Sequence, residues 1–200
     1  MTRPWWRRVA MVCLAVALLS LLFNVTFGPE MSGEWQTYSF IRKTVSKVLS
    51  SGTVWAAVSV YAGWVTARPL TSVMAGIVAA EATLLIHYLL GMVFGMYDST
   101  MLSSNSYWFI AGVVLCGPLG LCGWLASRAG WLGLAALLVV PVAAIAEPFV
   151  RGTFSHPFPQ IPWPERHSDT ASGILLIVLG VIAAVVVTQR GPRRLVNRPA

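Results

Sequence analysis

The chain has 200 residues, 56% of them apolar and 10% charged, with a mean hydropathy of +0.71. Fourteen Lys and Arg against seven Asp and Glu give a formal net charge of +7. A soluble domain carries roughly a quarter charged residues. This composition therefore excludes a soluble enzyme, a disordered chain, a disulfide scaffold and a soluble nucleic-acid binder, and points to an integral membrane protein.

Crossing about 30 Å of hydrocarbon takes about 20 mostly apolar helical residues. Six stretches predict such spans: residues 9–27, 52–67, 71–95, 107–126, 131–149 and 172–188. The second is the shortest, so five spans is the competing count. The expected fold is an all-α, polytopic membrane helix bundle forming a single integral membrane domain over residues 1–200.

The first span follows Arg3, Arg7 and Arg8, as a secretory signal would. Residues 23–30 offer no small-x-small cleavage site, and Val12 before Cys13 is wrong for lipoprotein processing. The segment reads as a retained anchor, with Trp5 and Trp6 in the headgroup zone and Arg7 and Arg8 on anionic lipid. Cys13, Cys116 and Cys122 all fall within spans. Cys116 and Cys122 would lie about 9 Å apart along one helix, too far for a bridge. All three are expected to be free apolar fillers.

Residues 35–49 follow. Tyr38, Ile41, Val45 and Val48 recur at helical spacing, opposite Arg42, Lys43, Ser46 and Lys47. Two readings stand side by side: an amphipathic helix on the outer surface, or the wet first turns of the second span.

In the third span, Glu81 lies ten residues beyond Thr71, about 15 Å in at 1.5 Å per residue, near the bilayer midplane. A carboxylate there must be protonated, paired or facing a polar cavity. Ile77, Leu85 and Tyr88 share its face, and Tyr88 is the candidate hydrogen-bond partner. The functional reading is a proton- or cation-coupled site; the structural reading is a neutral carboxyl bonding a neighbouring helix. His87 lies elsewhere around the helix, near Gly76, Ala80, Thr83 and Gly91, a small-residue face suited to close packing. Six residues apart, Glu81 and His87 make a poor metal pair.

The fourth span contains Gly112, Gly117, Pro118, Gly120 and Gly123. Pro118 lacks an amide donor and is expected to kink or break the helix, the device of transporter sites. The competing reading is that the glycines only permit close packing. Pro141 suggests another kink in the fifth span, which ends near the outer surface at Glu147 and Pro148. The outer loop 151–170 alternates prolines with Phe158, Ile161 and Trp163, predicting a stiff, extended segment. Its His156, Glu165, His167 and Asp169 match no metal-site spacing, so no metal or cofactor is expected. No P-loop, zincin motif, nucleophile elbow or disulfide-exchange pair is present, and no enzymatic activity is expected.

The charges predict direction. With six spans, Arg3, Arg7, Arg8, Arg68, Arg128, Arg190, Arg193, Arg194 and Arg198 fall on one side with no acid among them. The other side mixes Arg42, Lys43, Lys47, Arg151 and Arg166 with Glu30, Glu34, Asp98, Glu165 and Asp169. Lys and Arg mark the cytoplasmic side, so both termini are expected there.

Two motifs repeat in the same order. Leu49-Ser50-Ser51-Gly52-Thr53-Val54-Trp55 matches Leu102-Ser103-Ser104-Asn105-Ser106-Tyr107-Trp108, and Gly63-Trp64 with Arg68 matches Gly123-Trp124 with Arg128. A duplicated hairpin would relate the copies by an axis along the membrane normal. Convergence on capping Ser, interfacial Trp and cytoplasmic Arg is the alternative.

Ser51-Gly52-x-Val54-Trp55 followed by Gly63, Gly117-Pro118-Leu119-Gly120 after Trp108, and Glu147 late in the fifth span together resemble a family of small six-helix bacterial inner-membrane proteins of unknown function. The resemblance covers residues 49–147, half the chain. The insertion at 35–49 and the proline-rich loop depart from the family pattern. It implies a six-helix inner-membrane protein and supplies no activity and no functional residues. The expected role is an accessory or structural membrane component, against lipid and a membrane-protein partner or second copy, without nucleic acid. The alternative is a small oligomeric transporter or channel, with Glu81, His87, Tyr88, Pro118 and Glu147 as candidate intramembrane polar or transport residues.

Overall fold

The computed structural model describes residues 5–66, 68–156 and 160–196, the last six by backbone alone. Arg3, Ala67, Phe158 and Arg198, and the side chains of Arg193 and Arg194, lie outside the described residues. In chain order the helices are α1 (Trp5–Asn24), α2 (Gly28–Met31), α3 (Gln36–Leu49), α4 (Gly52–Trp64), α5 (Pro69–Val93), α6 (Thr100–Ser104), α7 (Ser106–Ala126), α8 (Trp131–Val150) and α9 (Trp163–Val196). Among the described residues there is no strand.

Five helices are long and apolar enough to cross a membrane: α1, α5, α7, α8 and the stretch Trp163–Arg190 of α9. The second expected span is shorter than the sequence suggested. Helix α4 has 13 residues, about 20 Å at 1.5 Å each. It stops at Trp64 because the chain turns there: Thr66 Oγ1 donates to the Gly63 carbonyl at 2.7 Å and also pairs with Ser72 Oγ. Helix α5 then starts with Pro69 in its first turn, preceded by Arg68 in the extended backbone that a following proline demands.

Burial is inverted relative to a water-soluble fold. The fully buried side chains are small, including Ser59, Ser72 and Thr83 at 0% exposure. Large aliphatics such as Leu22, Val93, Ile110 and Val114 are more than half exposed. Hydrocarbon gives large apolar residues no reason to bury, so helices associate through small residues that let backbones approach. Val9 and Cys13 of α1 meet Val58 and Ala62 of α4 and Ala75 and Ala79 of α5 in this way.

The glycines settle how α4, α5 and α7 run. A Cβ on Gly63 would overlap the Gly120 carbonyl, one on Gly123 the Val60 carbonyl, and one on Gly76 the Cys116 carbonyl. On α5 and α7, Ser72 meets Gly120, Gly76 meets Cys116 and Glu81 meets Gly112, so those two run antiparallel; α5 also runs back along α4 after the tight turn, so α4 and α7 are parallel. Helix α7 is continuous through Pro118, so of the kink or break expected there the break does not form. Pro118 sits on the exposed face, while Gly112, Gly117, Gly120 and Gly123 are buried against α4 and α5. That backbone packing holds the helix together where the proline withholds a hydrogen bond, as neighbouring helices do in membranes.

The amphipathic stretch forms its own helix, α3, separated from α4 by the turn at Ser50 and Ser51. Its polar side faces the protein. Arg42 is 6% exposed and pairs with Glu30 at 2.8 Å, while Tyr38 and Ile41 are 44% and 54% exposed. Lys43 pairs with Glu165, and Lys47 bridges Glu165 at 2.6 Å and Asp169 at 2.7 Å, joining α3 to α9.

Candidate functional site

The bundle has two unlike ends. One gathers the end of α1, α3, the start of α4, the end of α8 and the start of α9, with the ion pairs just described. At the other, Arg128 stacks over Trp124 at 4.4 Å and Arg7 over Trp6 at 5.4 Å. The candidate site lies towards the mixed-charge end, between α4, α5 and α7.

Glu81 projects from α5 onto α7, where the missing side chain of Gly112 makes room for its carboxyl. Its Oε1 is buried without a hydrogen-bond partner. Tyr88 does not reach it; the Tyr88 ring packs instead among His87, Tyr97 and Phe109, at centroid distances of 5.4 to 6.0 Å. Glu81 and His87 are not brought together.

His87 is 7% exposed and belongs to a polar relay that the sequence did not reveal. Ser46 Oγ lies 2.6 Å from Asn24 Oδ1, Asn24 Nδ2 lies 3.3 Å from Tyr97 Oη, and Tyr97 Oη lies 3.0 Å from His87 Nε2. The 2.6 Å contact has the length of an O–H···O bond, so Ser46 donates to the Asn24 carbonyl and the Asn24 amide donates to Tyr97. The other ring nitrogen of His87, Nδ1, is buried and turned to the Ala17 carbonyl of α1. An Nδ1–H facing that carbonyl leaves Nε2 of a neutral ring as the acceptor, so the Tyr97 hydroxyl donates to it.

Glu147 has a different fate. Its carboxylate caps the first turn of α4, accepting from the Gly52 amide at 2.9 Å, the Thr53 amide at 2.8 Å and Thr53 Oγ1 at 2.6 Å. Ser51 adds its own cap to the Val54 amide. An anion at a helix N-terminus, where unpaired amides and the macrodipole meet it, is an ordinary stabilising device. Arg151 lies 3.3 Å from the same carboxylate.

Beside this wall is a cavity of about 340 Å³, at the small end of the ligand-pocket range. Its lining includes His87, Tyr88 and Tyr97, Asn24 and Asn105, and Trp55 and Trp108, with Ala80, Leu84, Gly112 and Cys116 deeper in. Gly52 and Asn105, and Trp55 and Trp108, are paired positions of the two repeated motifs, and all four line this one cavity. The paired Gly63 and Gly123 both lie in the α4–α7 contact below it. The repeat thus marks both ends of a parallel helix pair. The copies differ in detail: Ser51 is a buried cap, whereas Ser104 is exposed within α6. Pro118 lines no part of the cavity.

No protein-family model, curated protein or solved structure matches the chain.

Proposed function

We propose that the chain is an accessory or structural component of the bacterial inner membrane, not an enzyme, that packs against lipid and a membrane-protein partner or a second copy of itself. In this reading α4 counts as the sixth span, both termini are cytoplasmic, and the parallel α4–α7 pair descends from a duplicated hairpin. The chain then belongs with the small six-helix inner-membrane proteins that residues 49–147 resemble. The observation that carries the role is the glycine contact of α4, α5 and α7: backbone lies directly on backbone at Gly63, Gly76, Gly120 and Gly123. Backbone packed in this way ties α4, α5 and α7 into one tight unit, which suits a protein that presents its outer faces to a partner.

The test is reconstitution of the purified chain into liposomes, with solute and ion flux at background, alongside mild solubilisation of native membrane to recover a stoichiometric partner. Flux above background that Glu81→Gln abolishes, in a variant that still folds, overturns the reading. A reporter active only in the cytoplasm, fused after Ala200, tests the topology; an inactive fusion sinks the six-span arrangement. The second reading is a small oligomeric transporter, favoured by one observation, the unpartnered Oε1 of Glu81 against Gly112. An intramembrane carboxyl without a partner is the usual mark of a coupling site.

A further inference from the structure

The geometry points to the cavity between α4, α5 and α7 as a binding site for an uncharged, hydroxylated aromatic lipophile that enters from the bilayer. This inference stands whether or not the accessory role is correct.

Charge decides the first property. Among the described residues, no Lys, Arg, Asp or Glu lines the cavity. A charged ligand would lose its hydration with no counter-charge to replace it, a cost of many kcal/mol that a neutral molecule avoids. Both neighbouring carboxylates are turned elsewhere: Glu81 onto Gly112 from the side and Glu147 onto the first turn of α4.

The walls decide the second. Trp55, Tyr88, Tyr97 and Trp108 offer ring faces and edges, which favour a flat ring over a branched chain. The volume, about 340 Å³, admits a ring with a short chain and excludes a two-chain phospholipid.

The relay decides the head group. It is anchored at Ser46 and ends on His87, whose Nδ1 is turned to the Ala17 carbonyl of α1, so the atom of the relay left to a ligand is Tyr97 Oη. Tyr97 Oη accepts once from Asn24 and donates once to His87, which leaves it one free lone pair. The wall therefore offers an unmet acceptor at Tyr97 Oη, which a ligand hydroxyl meets as donor.

The mouth decides the route. Trp108 and Leu115 line the cavity and are also 49% and 60% exposed on the bundle surface. Seven residues apart on α7, they form one stripe facing the hydrocarbon. A lipophile dissolved in the bilayer meets this opening directly.

The experiment uses the full chain in nanodiscs with radiolabelled decylphenol, competed by excess unlabelled probe. Saturable binding is expected, at least tenfold tighter than decylbenzene, which has the ring and chain without the oxygen. Decyl phosphate and decyltrimethylammonium should fail to compete. Tyr97→Phe keeps the ring and removes the hydroxyl. It should bring decylphenol down to the level of decylbenzene while leaving decylbenzene unchanged, a pattern that general loosening of the fold would not produce. Ala111→Leu, which fills the cavity, should abolish both. The proposal is overturned if decylphenol shows no saturable binding, if decylbenzene or the charged probes bind as tightly, or if a folded Ala111→Leu variant binds as well as the natural chain.

Discussion

Removal of the Glu147 carboxylate should unfasten α4 from α8, and the structure sets the size of the effect. Glu147→Ala deletes the acceptor for two amides and one hydroxyl at the start of α4. The Gly52 amide lies at an exposed position and can turn to water. Thr53 is 7% exposed, so its amide and hydroxyl are left buried and unpaired. Each such group costs about 1–3 kcal/mol. Loss of the anion from the helix N-terminus adds about 0.3–1 kcal/mol, and the Ser51 cap survives. These parts sum to about 2–7 kcal/mol, and the exposed Gly52 edge of the contact, which lets water in, sets the expected loss near the lower end, about 3 kcal/mol. Glu147→Gln keeps one acceptor oxygen and should lose about half as much. For a chain of this length, 1 kcal/mol moves the melting temperature by roughly 2–4 °C. The alanine variant should melt roughly 6–12 °C lower and the glutamine variant roughly 3–6 °C lower. A thiol-reactive dye in detergent reads the transition, because Cys13 and Cys116 are free and only 3% and 7% exposed. An alanine variant that melts with the natural chain refutes the capping argument. A glutamine variant as unstable as the alanine variant would show that charge, rather than acceptor geometry, holds the contact.

The Glu30–Arg42 pair gives a pH test. Burial raises the Glu30 carboxyl, but the hydrogen bonds and charge of Arg42 and the Phe27 amide outweigh it and hold the group below the usual carboxylate range. A depressed folded-state value means the pair's stabilisation is complete above the unfolded glutamate value of about 4.3 and is lost as pH falls through the folded value. Melting between pH 7 and pH 3 should show an acid limb that is smaller in Glu30→Gln, the other paired carboxylates keeping their share, and that variant should lose about 3–5 kcal/mol at pH 7 by stranding buried Arg42; a variant with an undiminished acid limb refutes this. Gly120→Ala places a methyl on the Ser72 carbonyl and should cost at least about 1–3 kcal/mol, whereas Gly28→Ala, with nothing within 4 Å, should be close to neutral by the same melt. Equal melting of the two would mean that the helix contact is loose. Lys47→Gln removes two of the three ion pairs that join α3 to α9, leaving Lys43–Glu165, and should lower stability by about 1 kcal/mol, less in high salt, as measured by melts across ionic strength.

The long apolar helices were legible because each carries enough hydrophobic residues to cross the bilayer, a signal that needs no partner. The end of α4 was not legible: it depends on Thr66 reaching both Gly63 and Ser72, a pairing of small hydroxyls that hydropathy cannot register. The periodicity of residues 36–49 gave the helix but not its outward face. In water the apolar side turns inward; here the protein supplies the charged partners Glu30, Glu165 and Asp169, and the polar side turns towards them. At Pro118 the sequence leaves two readings, a kink or break and glycines placed for close packing, and only the neighbouring helices decide between them: the helix is continuous and its glycines lie against α4 and α5. The relay was hidden by distance, since Asn24 and Tyr97 are 73 residues apart with no local pattern joining them. The repeated tryptophans were the visible signal: Trp55 and Trp108 converge on the same cavity as that relay.

The net charge of +7 can now be separated into parts with different causes. The excess is arginine, and in the proposed topology it belongs to orientation rather than to a binding surface. The mixed end is held by specific pairs, so its charges are structural. Of the two acids that orientation leaves unexplained, Glu147 is accounted for by three donors at the start of α4. Glu81 is not: its Oε1 has a place against Gly112 and no partner. A purely structural carboxyl would be expected to find a donor, because an unmet polar atom in hydrocarbon costs several kcal/mol. Glu81 is therefore the residue at which the accessory and transport readings diverge, and its substitution by glutamine separates a packing role from a coupled one.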